Sequence, residues 1–233
     1  MKTTTEAFTR IELLAVCAAI ALLALAVVPA LAANKSDSER MVCFNHLRLV
    51  GRGVQVWAGD HNQQFSWRTL NSDGGTMPDT GTKSGNAWFE YVYLSNELVS
   101  PKILACPSDI GVMRAKSWPD FISPPFRNNA VSYPLHIDGS IDVPGTWLSA
   151  DRNFAGNPIG GGCSARTTGS FAITTGILPS QSSVAWTNAV HGNYGHVLTT
   201  DGTVEFTSTS RLKELLVRRD IDDNGQTHFL KGR

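Results

Sequence analysis

An uncharged and mostly apolar run extends from Leu13 to Ala33, and the carboxylate of Glu12 stands directly before it. The run has 21 residues. At ~1.5 Å per helical residue this length spans the ~30 Å hydrocarbon core of a bilayer, so the pattern predicts a membrane helix. A secretory signal places its cleavage site after the apolar segment. Here the candidate processing site precedes the run, so cleavage would leave the membrane helix on the mature protein.

Pro29 lies within the apolar run and lacks an amide hydrogen, so we expect it to kink or locally melt the helix. The alternative is that the helix ends there. Apolar residues resume at helical spacing after a polar collar, which favours continuation and predicts one long helix from about Thr9 to Asp60. Gly51 and Gly53 weaken its later part. The resumed apolar stripe consists of Val42, Cys43, Leu47, Val50, Val54, Trp57 and Ala58.

The rest of the chain has the composition of a loop-rich β domain. About 170 residues follow the helix, enough for one domain with its own core. The 21 glycines and 11 prolines indicate many turns. The 20 basic and 20 acidic residues cancel, so no nucleic-acid partner is expected. The predicted fold class is α+β, with a long N-terminal helix, half in the membrane and half soluble, packed on a loop-rich antiparallel β-sheet head.

Local patterns in this head predict a hairpin and several short elements. Residues 196–200 and 203–206 flank Asp201 and Gly202, which suit a two-residue turn with positive φ angles at both positions. Ser210 is placed to cap a short helix. That helix is predicted over residues 211–218, two short strands over 130–133 and 182–186, and a helix or strand over 87–94.

The N-terminal residues 8–14 (Phe-Thr-Arg-Ile-Glu-Leu-Leu) resemble those of type IV pilins and type II secretion pseudopilins. Glu12 follows Phe8 by four residues and Pro29 follows it by 21. The resemblance implies that a prepilin peptidase cuts between Ala7 and Phe8 and that Phe8 is then methylated. The family usually has Gly where this chain has Ala7.

The resemblance gives Glu12 an assembly role, with Pro29 in the same helix. In the family the corresponding carboxylate pairs with the free amine of a neighbouring subunit's first residue, here Phe8, and so sets the register between subunits. The alternative is that Glu12 reaches the lipid headgroups, aided by Arg10, an extra charge relative to the family. A carboxylate costs ~3 kcal/mol at the centre of a membrane helix and less near its end.

The same resemblance divides the chain into four parts. Residues 1–7 are a cleaved leader, 8–33 the transmembrane and assembly helix, 34–61 the soluble half of that helix, and 62–233 a pilin-like head. It implies a structural subunit of a type IV pilus-like or type II secretion pseudopilus filament. The implied partners are other pilin-like subunits, prepilin peptidase, an inner-membrane assembly platform and membrane lipid. The head would lie in the periplasm or in a filament.

A second resemblance is carried by His191, which is followed by nine residues and then Asp201 and Gly202. This matches the His-x9-Asp-Gly signature of prepilin-like proteins of the Planctomycetes–Verrucomicrobia group. His196 departs from that family, which often has Asn there. Shorter pieces match in the family's order: Cys43-Phe44-Asn45-His46-Leu47-Arg48, Cys106-Pro107-Ser108-Asp109, Val131-Ser132-Tyr133 and Ala150-Asp151-Arg152-Asn153.

His191 also admits an enzymatic interpretation, because Ser182, Ser183 and Asp201 complete a Ser–His–Asp set on paper. The sequence has no Gly-x-Ser-x-Gly elbow, and the turn accounts for Asp201. We therefore expect a structural His191 that bonds backbone near the hairpin, no catalytic residue and no enzyme activity. The remaining histidines lack zinc-site spacing, so no metal ligand is assigned to His46, His61 or His136.

The C-terminal segment carries the one cofactor hypothesis. Asp220, Asp222 and Asn224 place oxygen ligands at alternate positions before Gly225, as in the first half of a calcium loop. The twelfth position is Lys231, where a bidentate Glu belongs. The alternative, which we prefer, is a solvated acidic turn.

The cysteines divide by location. Cys17 lies in the apolar run, whereas Cys43, Cys106 and Cys163 would lie on the exported side, where disulfides persist. Cys43 and Cys106 are the preferred pair, because their bond would fasten the helix to the head. The other two pairings stay open.

Two further functions remain as alternatives to the filament subunit. One is a membrane-tethered head that binds glycans or cargo without polymerising, with Trp67, Trp118 and Trp147 as candidate exposed aromatics. The other is a membrane-anchored periplasmic hydrolase. Glu12 discriminates among these, because only assembly depends on its carboxylate.

Overall fold

The computed structural model describes residues 9–81, 83–156, 167–168, 171–174, 182–217 and 226–230. Side chains are described for all of these except 26–34, 83–84, 167–168, 171–174, 217 and 226. The chain divides into two compact units, Met1–Glu39 and Arg40–Arg233. Its class is α+β, as the composition and patterning predicted.

Helix α1 spans Arg10–Asp60, close to the predicted bounds. It begins with a capping box, in which the backbone N–H of Thr9 donates to Glu12 Oε2 at 2.8 Å and the N–H of Glu12 donates to Thr9 Oγ1 at 3.3 Å. The helical backbone continues through Pro29, so the helix does not end there. In the part of the chain whose side chains are described, which leaves out residues 26–34, no helix is long and apolar enough to cross a membrane.

The later part of α1 carries the predicted apolar stripe into the core of the second unit. All of its members are buried except Val42, which is 37% exposed. The helix approaches its neighbours closely at two glycines. A Cβ at Gly51 would lie 2.8 Å from Leu198 Cδ1, and one at Gly53 would lie 2.6 Å from Leu98 Cδ2. The glycines that weaken the helix in isolation therefore allow it to pack.

The main sheet is antiparallel, and six described strands form it in the order β6-β10-β2-β3-β8-β9. These strands are β2 (Leu135–His136), β3 (Trp147–Ala150), β6 (Phe171–Thr174), β8 (Gly195–Thr199), β9 (Val204–Thr207) and β10 (Gln226–Leu230). Two small pairs accompany it: β1 (Lys83–Ser84) runs parallel to β5 (Thr167–Thr168), and β4 (Phe154–Ala155) runs antiparallel to β7 (Ala185–Trp186).

Four shorter helices complete the described part of the head: α2 (Ala87–Tyr93), α3 (Ser95–Leu98), α4 (Trp118–Ile122) and α5 (Thr209–Val217). The apolar segment 87–94 is thus helical. The cap predicted at Ser210 is wrong, because Ser208 Oγ accepts from the N–H of Arg211 and the helix begins earlier. The apolar side of α5 is buried as predicted through Leu212, Leu215 and Leu216.

Two predicted strands are wrong or too long. Ala130 is the last residue of a 3-10 turn (Arg127–Ala130). Ser132 lies in no strand, and its backbone N–H donates to the carbonyl of Leu104. In segment 182–186 only Ala185–Trp186 forms a strand. At Ser132 a bond to the distant Leu104 takes the backbone N–H that a ladder would use, and in the second segment the nearby Ser182 Oγ takes the N–H of Val184.

The hairpin forms between β8 and β9, but its turn differs from the prediction. Leu198 pairs with Val204, and the N–H of Thr199 donates to the carbonyl of Thr203 at 2.9 Å. The loop therefore has three residues, and among its described residues only Gly202 has a positive φ, of 85°. The predicted two-residue turn with Asp201 also at positive φ is wrong, because Asp201 instead accepts hydrogen bonds across the loop.

Cys43 and Cys106, the pair preferred from the sequence, are joined by a disulfide with 5.1 Å between their Cα atoms. Cys17 is a free and exposed cysteine. Cys163 lies outside the described residues. The bond fastens the later part of α1 to the segment after the 3-10 turn Pro101–Leu104.

Candidate functional site

The short pieces that carried the second resemblance meet at one place in the fold, beside the disulfide. They come from distant parts of the chain: α1, the segment after residue 104, the segment before β2, the end of β3 and the loop before β8. Residues that contact one another here are Cys106, Asp109, Ser132, Asp151, Arg152, His191 and His196.

Asp151 is the centre of this cluster and directly follows β3. Its Oδ2 accepts from the backbone N–H of His196 at 2.6 Å, lies 2.8 Å from His196 Nδ1, and lies 3.4 Å from His191 Nε2. The three side chains are 1–3% exposed. The other oxygen, Oδ1, is buried with no hydrogen-bond partner among the described residues. A carboxylate thus sits between two imidazoles with one oxygen uncommitted.

His191 is held in the loop between β7 and β8 by Asn153. The Nδ2 of Asn153 donates to the carbonyls of Thr187 and Tyr194, both at 2.9 Å, and so closes the two ends of the loop. Positive φ angles at Gly192 (63°) and at the next residue turn the chain directly after His191. The hydrogen bonds and the backbone conformation of the loop therefore position the imidazole of His191.

The imidazole of His191 also lies against the disulfide, with Nε2 3.5 Å from Cys106 Sγ. Burial lowers the pKa of His191 below its ordinary value, because the low-dielectric surroundings disfavour the charged form. The nearby charges of His196 and Arg40 act in the same direction, while Asp151 opposes them. His191 is therefore held as the neutral imidazole at neutral pH.

Aromatic rings cover the outer side of the two histidines. The ring of Phe206 lies 4.8 Å from that of His196 and 6.1 Å from that of His191. Tyr194 stacks on Phe206 at 5.6 Å, and the guanidinium of Arg40 lies over the same ring at 5.6 Å. These rings pack over the two histidines.

Asp109 and Arg152 form an ion pair within the cluster. Arg152 Nη2 donates to Asp109 Oδ1 at 2.6 Å, and Ser132 Oγ donates to Asp109 Oδ2 at 2.8 Å. Burial alone would raise the pKa of Asp109, but the bonds from Arg152 and Ser132 outweigh it and lower that pKa. Burial and the Asp151 carboxylate together raise the pKa of Tyr133 well above its usual value.

The turn end of the His-x9-Asp-Gly signature has a separate position. Gln55 of α1 donates through Nε2 to the carbonyl of Thr200 at 3.3 Å, and a Cβ at Gly202 would lie 2.9 Å from that nitrogen. Asp201 accepts from Thr199 Oγ1 at 2.6 Å and stays in its own turn. The segments on the two sides of β8 therefore approach α1 at two points: His191 lies against the disulfide that Cys43 forms with Cys106, and Thr200 accepts from Gln55.

These positions change the enzymatic interpretation. Asp151, and not Asp201, is the carboxylate beside His191, and its Oδ2 already caps the N–H of His196. Ser182 Oγ accepts from the N–H of Val184 at 3.3 Å. The Ser–His–Asp set drawn from the sequence is thus wrong in its carboxylate. The structure gives His191 Nε2 two contacts, with the Asp151 carboxylate and with Cys106 Sγ, and the expected bond from His191 to backbone stays a prediction.

The aromatic residues expected on the surface are mostly internal. Trp67 and Trp147 are 2% and 1% exposed, which corrects the sequence-based expectation. Trp118 is half-buried and donates from Nε1 to the carbonyl of Val99. Two of the three candidate ligand-binding tryptophans therefore belong to the core.

Several predicted site residues lie outside the described part of the chain. These are Ala7 and Phe8 at the processing site and Asp220, Asp222 and Asn224 in the candidate calcium loop. The backbone of Pro29 is helical. The calcium site stays a prediction, tested by whether millimolar Ca²⁺ shifts the melting temperature.

Sequence reasoning missed Asp151 and His196 as partners of His191. The contact between Asp151 and His196 spans 45 positions, so no spacing rule joins them. The signal in the sequence is the second resemblance, which includes the segment around Asp151 and the departure at His196. Comparisons of the chain with protein-family models, with characterised proteins and with solved structures find no match.

Proposed function

We propose that the chain is a structural subunit, similar to a pilin or pseudopilin, that assembles through its N-terminal helix into a filament. The observation that carries the proposal is the row of exposed apolar side chains on the first part of α1. Ile11 is 79% exposed and Leu25 is 73% exposed. An apolar surface of this size on one chain calls for lipid or neighbouring helices as partners.

The way the head is attached supports the same role. The disulfide and the Gln55 contact both fasten the later part of α1 within the second unit, and His191 lies against the disulfide. A helix that carries assembly contacts must transmit force to its head without peeling away, and these fastenings resist that. A disulfide also persists in the oxidising periplasm or outside the cell, whereas it is rare in the reducing cytoplasm.

In this proposal prepilin peptidase removes residues 1–7 and Phe8 becomes the methylated N-terminus. Residues 8–33 enter the inner membrane before assembly, with the head on the periplasmic side. Glu12 then pairs with the amine of Phe8 on a neighbouring subunit. In the free chain Glu12 caps its own helix through Thr9, and assembly would exchange that exposed contact for the amine.

Two measurements test the proposal. The mass of the membrane-extracted protein should correspond to a chain that begins at methylated Phe8. A chain cut after Ala30, Ala32 or Ala33 would instead be an ordinary secreted protein and would overturn it. In a filament assay, Glu12→Ala should abolish assembly while Glu39→Ala, a carboxylate change further along the same helix, should not. Normal filaments from Glu12→Ala would overturn the registry role.

A further inference from the structure

The donor atoms of Asp151, His191 and His196 lie close enough together to share one ion. One ligand atom from each residue lies within 4.8 Å of the other two. The measured separations from Asp151 Oδ2 are 2.8 Å to His196 Nδ1 and 3.4 Å to His191 Nε2. Ligand atoms of a tetrahedral zinc site stand ~3.4 Å apart, given bonds of ~2.1 Å. Small shifts of the two imidazoles and a turn of the Asp151 carboxylate that presents Oδ1 would suffice for coordination.

A second observation points to a missing partner at the same place. Asp151 Oδ1 is buried with no hydrogen-bond partner among the described residues, and so is the hydroxyl of Tyr133. A buried carboxyl oxygen without a partner is costly, so native structures almost always supply one. Since Oδ2 already accepts from His196, Oδ1 is the oxygen that remains for an ion or a water.

A similar trio elsewhere in the sheet provides a contrast. Asp138 Oδ2 accepts from the backbone N–H of His228 at 2.7 Å and lies 2.8 Å from its Nδ1, just as Asp151 does with His196. The third member, His136, lies 3.7 Å from that oxygen. Both ring nitrogens of His136 are taken, one by the carbonyl of Trp147 and one by the hydroxyl of Thr227. In the second trio both nitrogens of the additional imidazole, His136, are therefore occupied, whereas among the described residues His191 Nε2 contacts Asp151 and a disulfide sulfur.

We propose that Asp151, His191 and His196 bind one divalent transition-metal ion, with Zn²⁺ the ion best suited to two imidazoles and a carboxylate. Cys43 and Cys106 are bonded to each other and supply no thiolate. The ion would have three protein ligands, with a water as the fourth. It would link the end of β3, the loop before β8 and β8 itself, so its binding would stabilise the head. This role goes beyond a structural subunit, and a failure here leaves the filament proposal intact.

The test uses the full oxidised chain in detergent, freed of metal with a chelator. Free thiols are alkylated first, so that cysteine cannot bind the probe. Zinc is then titrated by calorimetry and thermal melting. We expect one Zn²⁺ per chain and a melting temperature about 5 °C or more higher at zinc concentrations a hundredfold above Kd. Failure of the wild-type chain to bind Zn²⁺ would overturn the proposal and leave a buried water as the partner of Oδ1.

Matched variants locate the site. His191→Gln and His196→Asn should abolish zinc binding, and Asn is the residue that the related family often carries at that position. His228→Asn removes the corresponding ring contact with Asp138, keeps the backbone one, and should leave binding unchanged. Zinc binding that survives in both His191→Gln and His196→Asn would place the ion elsewhere and refute the assignment.

A second measurement needs no variant that might fail to fold. Co²⁺ is titrated into the wild-type chain in place of Zn²⁺, and the ring protons of coordinated histidines are followed by NMR through their paramagnetic shifts. Two strongly shifted imidazoles support the proposal. None or one would overturn it.

Discussion

Asp151 and His196 hold each other across 45 positions of sequence through three hydrogen bonds. Asp151 Oδ2 accepts from the backbone N–H and contacts the ring Nδ1 of His196, and the N–H of Asp151 donates to the carbonyl of His196 at 2.9 Å. The last bond extends the β3–β8 ladder by one step. The carboxylate thus closes the end of that ladder where His191 and the disulfide lie.

Removing the Asp151 carboxylate should destabilise the folded chain. We expect Asp151→Ala to lower the free energy of unfolding by about 3 kcal/mol, because it removes charge-assisted bonds and leaves the buried N–H of His196 without a partner. Urea unfolding of the oxidised chain measures the effect. Asp142→Ala, at an exposed carboxylate that accepts only from Ser140 nearby, is the control and should change stability little. Equal losses from the two variants would contradict the central role of Asp151.

The disulfide should contribute to stability through the chain it closes. Cys43 and Cys106 are 63 positions apart, and the double change Cys43→Ser with Cys106→Ser should cost about 2–5 kcal/mol. Thermal melts with and without reductant measure this in the natural chain. Cys17→Ser is the control, because Cys17 is a free cysteine. Reductant should lower the melting temperature of this variant as it does that of the wild type. Insensitivity of the wild type to reductant would show that the packing of α1 is sufficient alone.

Gly195 is placed where no side chain fits. A Cβ there would lie 2.5 Å from the ring of Trp186, which is fixed by a bond from Nε1 to Thr207 Oγ1 at 3.2 Å. We expect Gly195→Ala to destabilise the head by about 1–3 kcal/mol through overpacking. Gly59→Ala is the matched control, because nothing lies within 4 Å of a Cβ at this helical position. It should be neutral or gain up to about 1 kcal/mol. Urea midpoints of the two variants compare them directly.

Elements dictated by local periodicity could be predicted from the sequence. The helix Arg10–Asp60 and the hairpin of β8 and β9 follow from apolar spacing and from the Asp201–Gly202 pair. The failures occurred where polar side chains bind the backbone from far away. Ser132 is one case: its segment has the composition of a strand, but its Oγ accepts from the backbone N–H of Cys106, which is distant in sequence.

The candidate site illustrates the same limit. The disulfide partners could be argued from their location, since few cysteines lie outside the apolar run Leu13–Ala33. The carboxylate beside His191 could not, because Asp201 is near in sequence and Asp151 is near only in space. Exposure of Trp67 and Trp147 was also mispredicted, because polar neighbours in the sequence do not report what the fold places above a ring.

A half-buried histidine on α1 should make stability depend on pH near neutrality. Burial lowers the pKa of His46 below its ordinary value, while a bond to the carbonyl of Ala105 partly opposes this. The unfolded chain then binds more protons than the folded chain below about pH 6.5, so stability falls as pH drops through that value toward the folded pKa. His191 shifts in the same direction and adds to the slope. His46→Gln should therefore flatten, without abolishing, the fall in urea midpoint between about pH 7.5 and pH 5.5. Asn45→Ala, an exposed neighbour that does not titrate, should keep the full slope, and an unchanged slope in His46→Gln would contradict the burial argument.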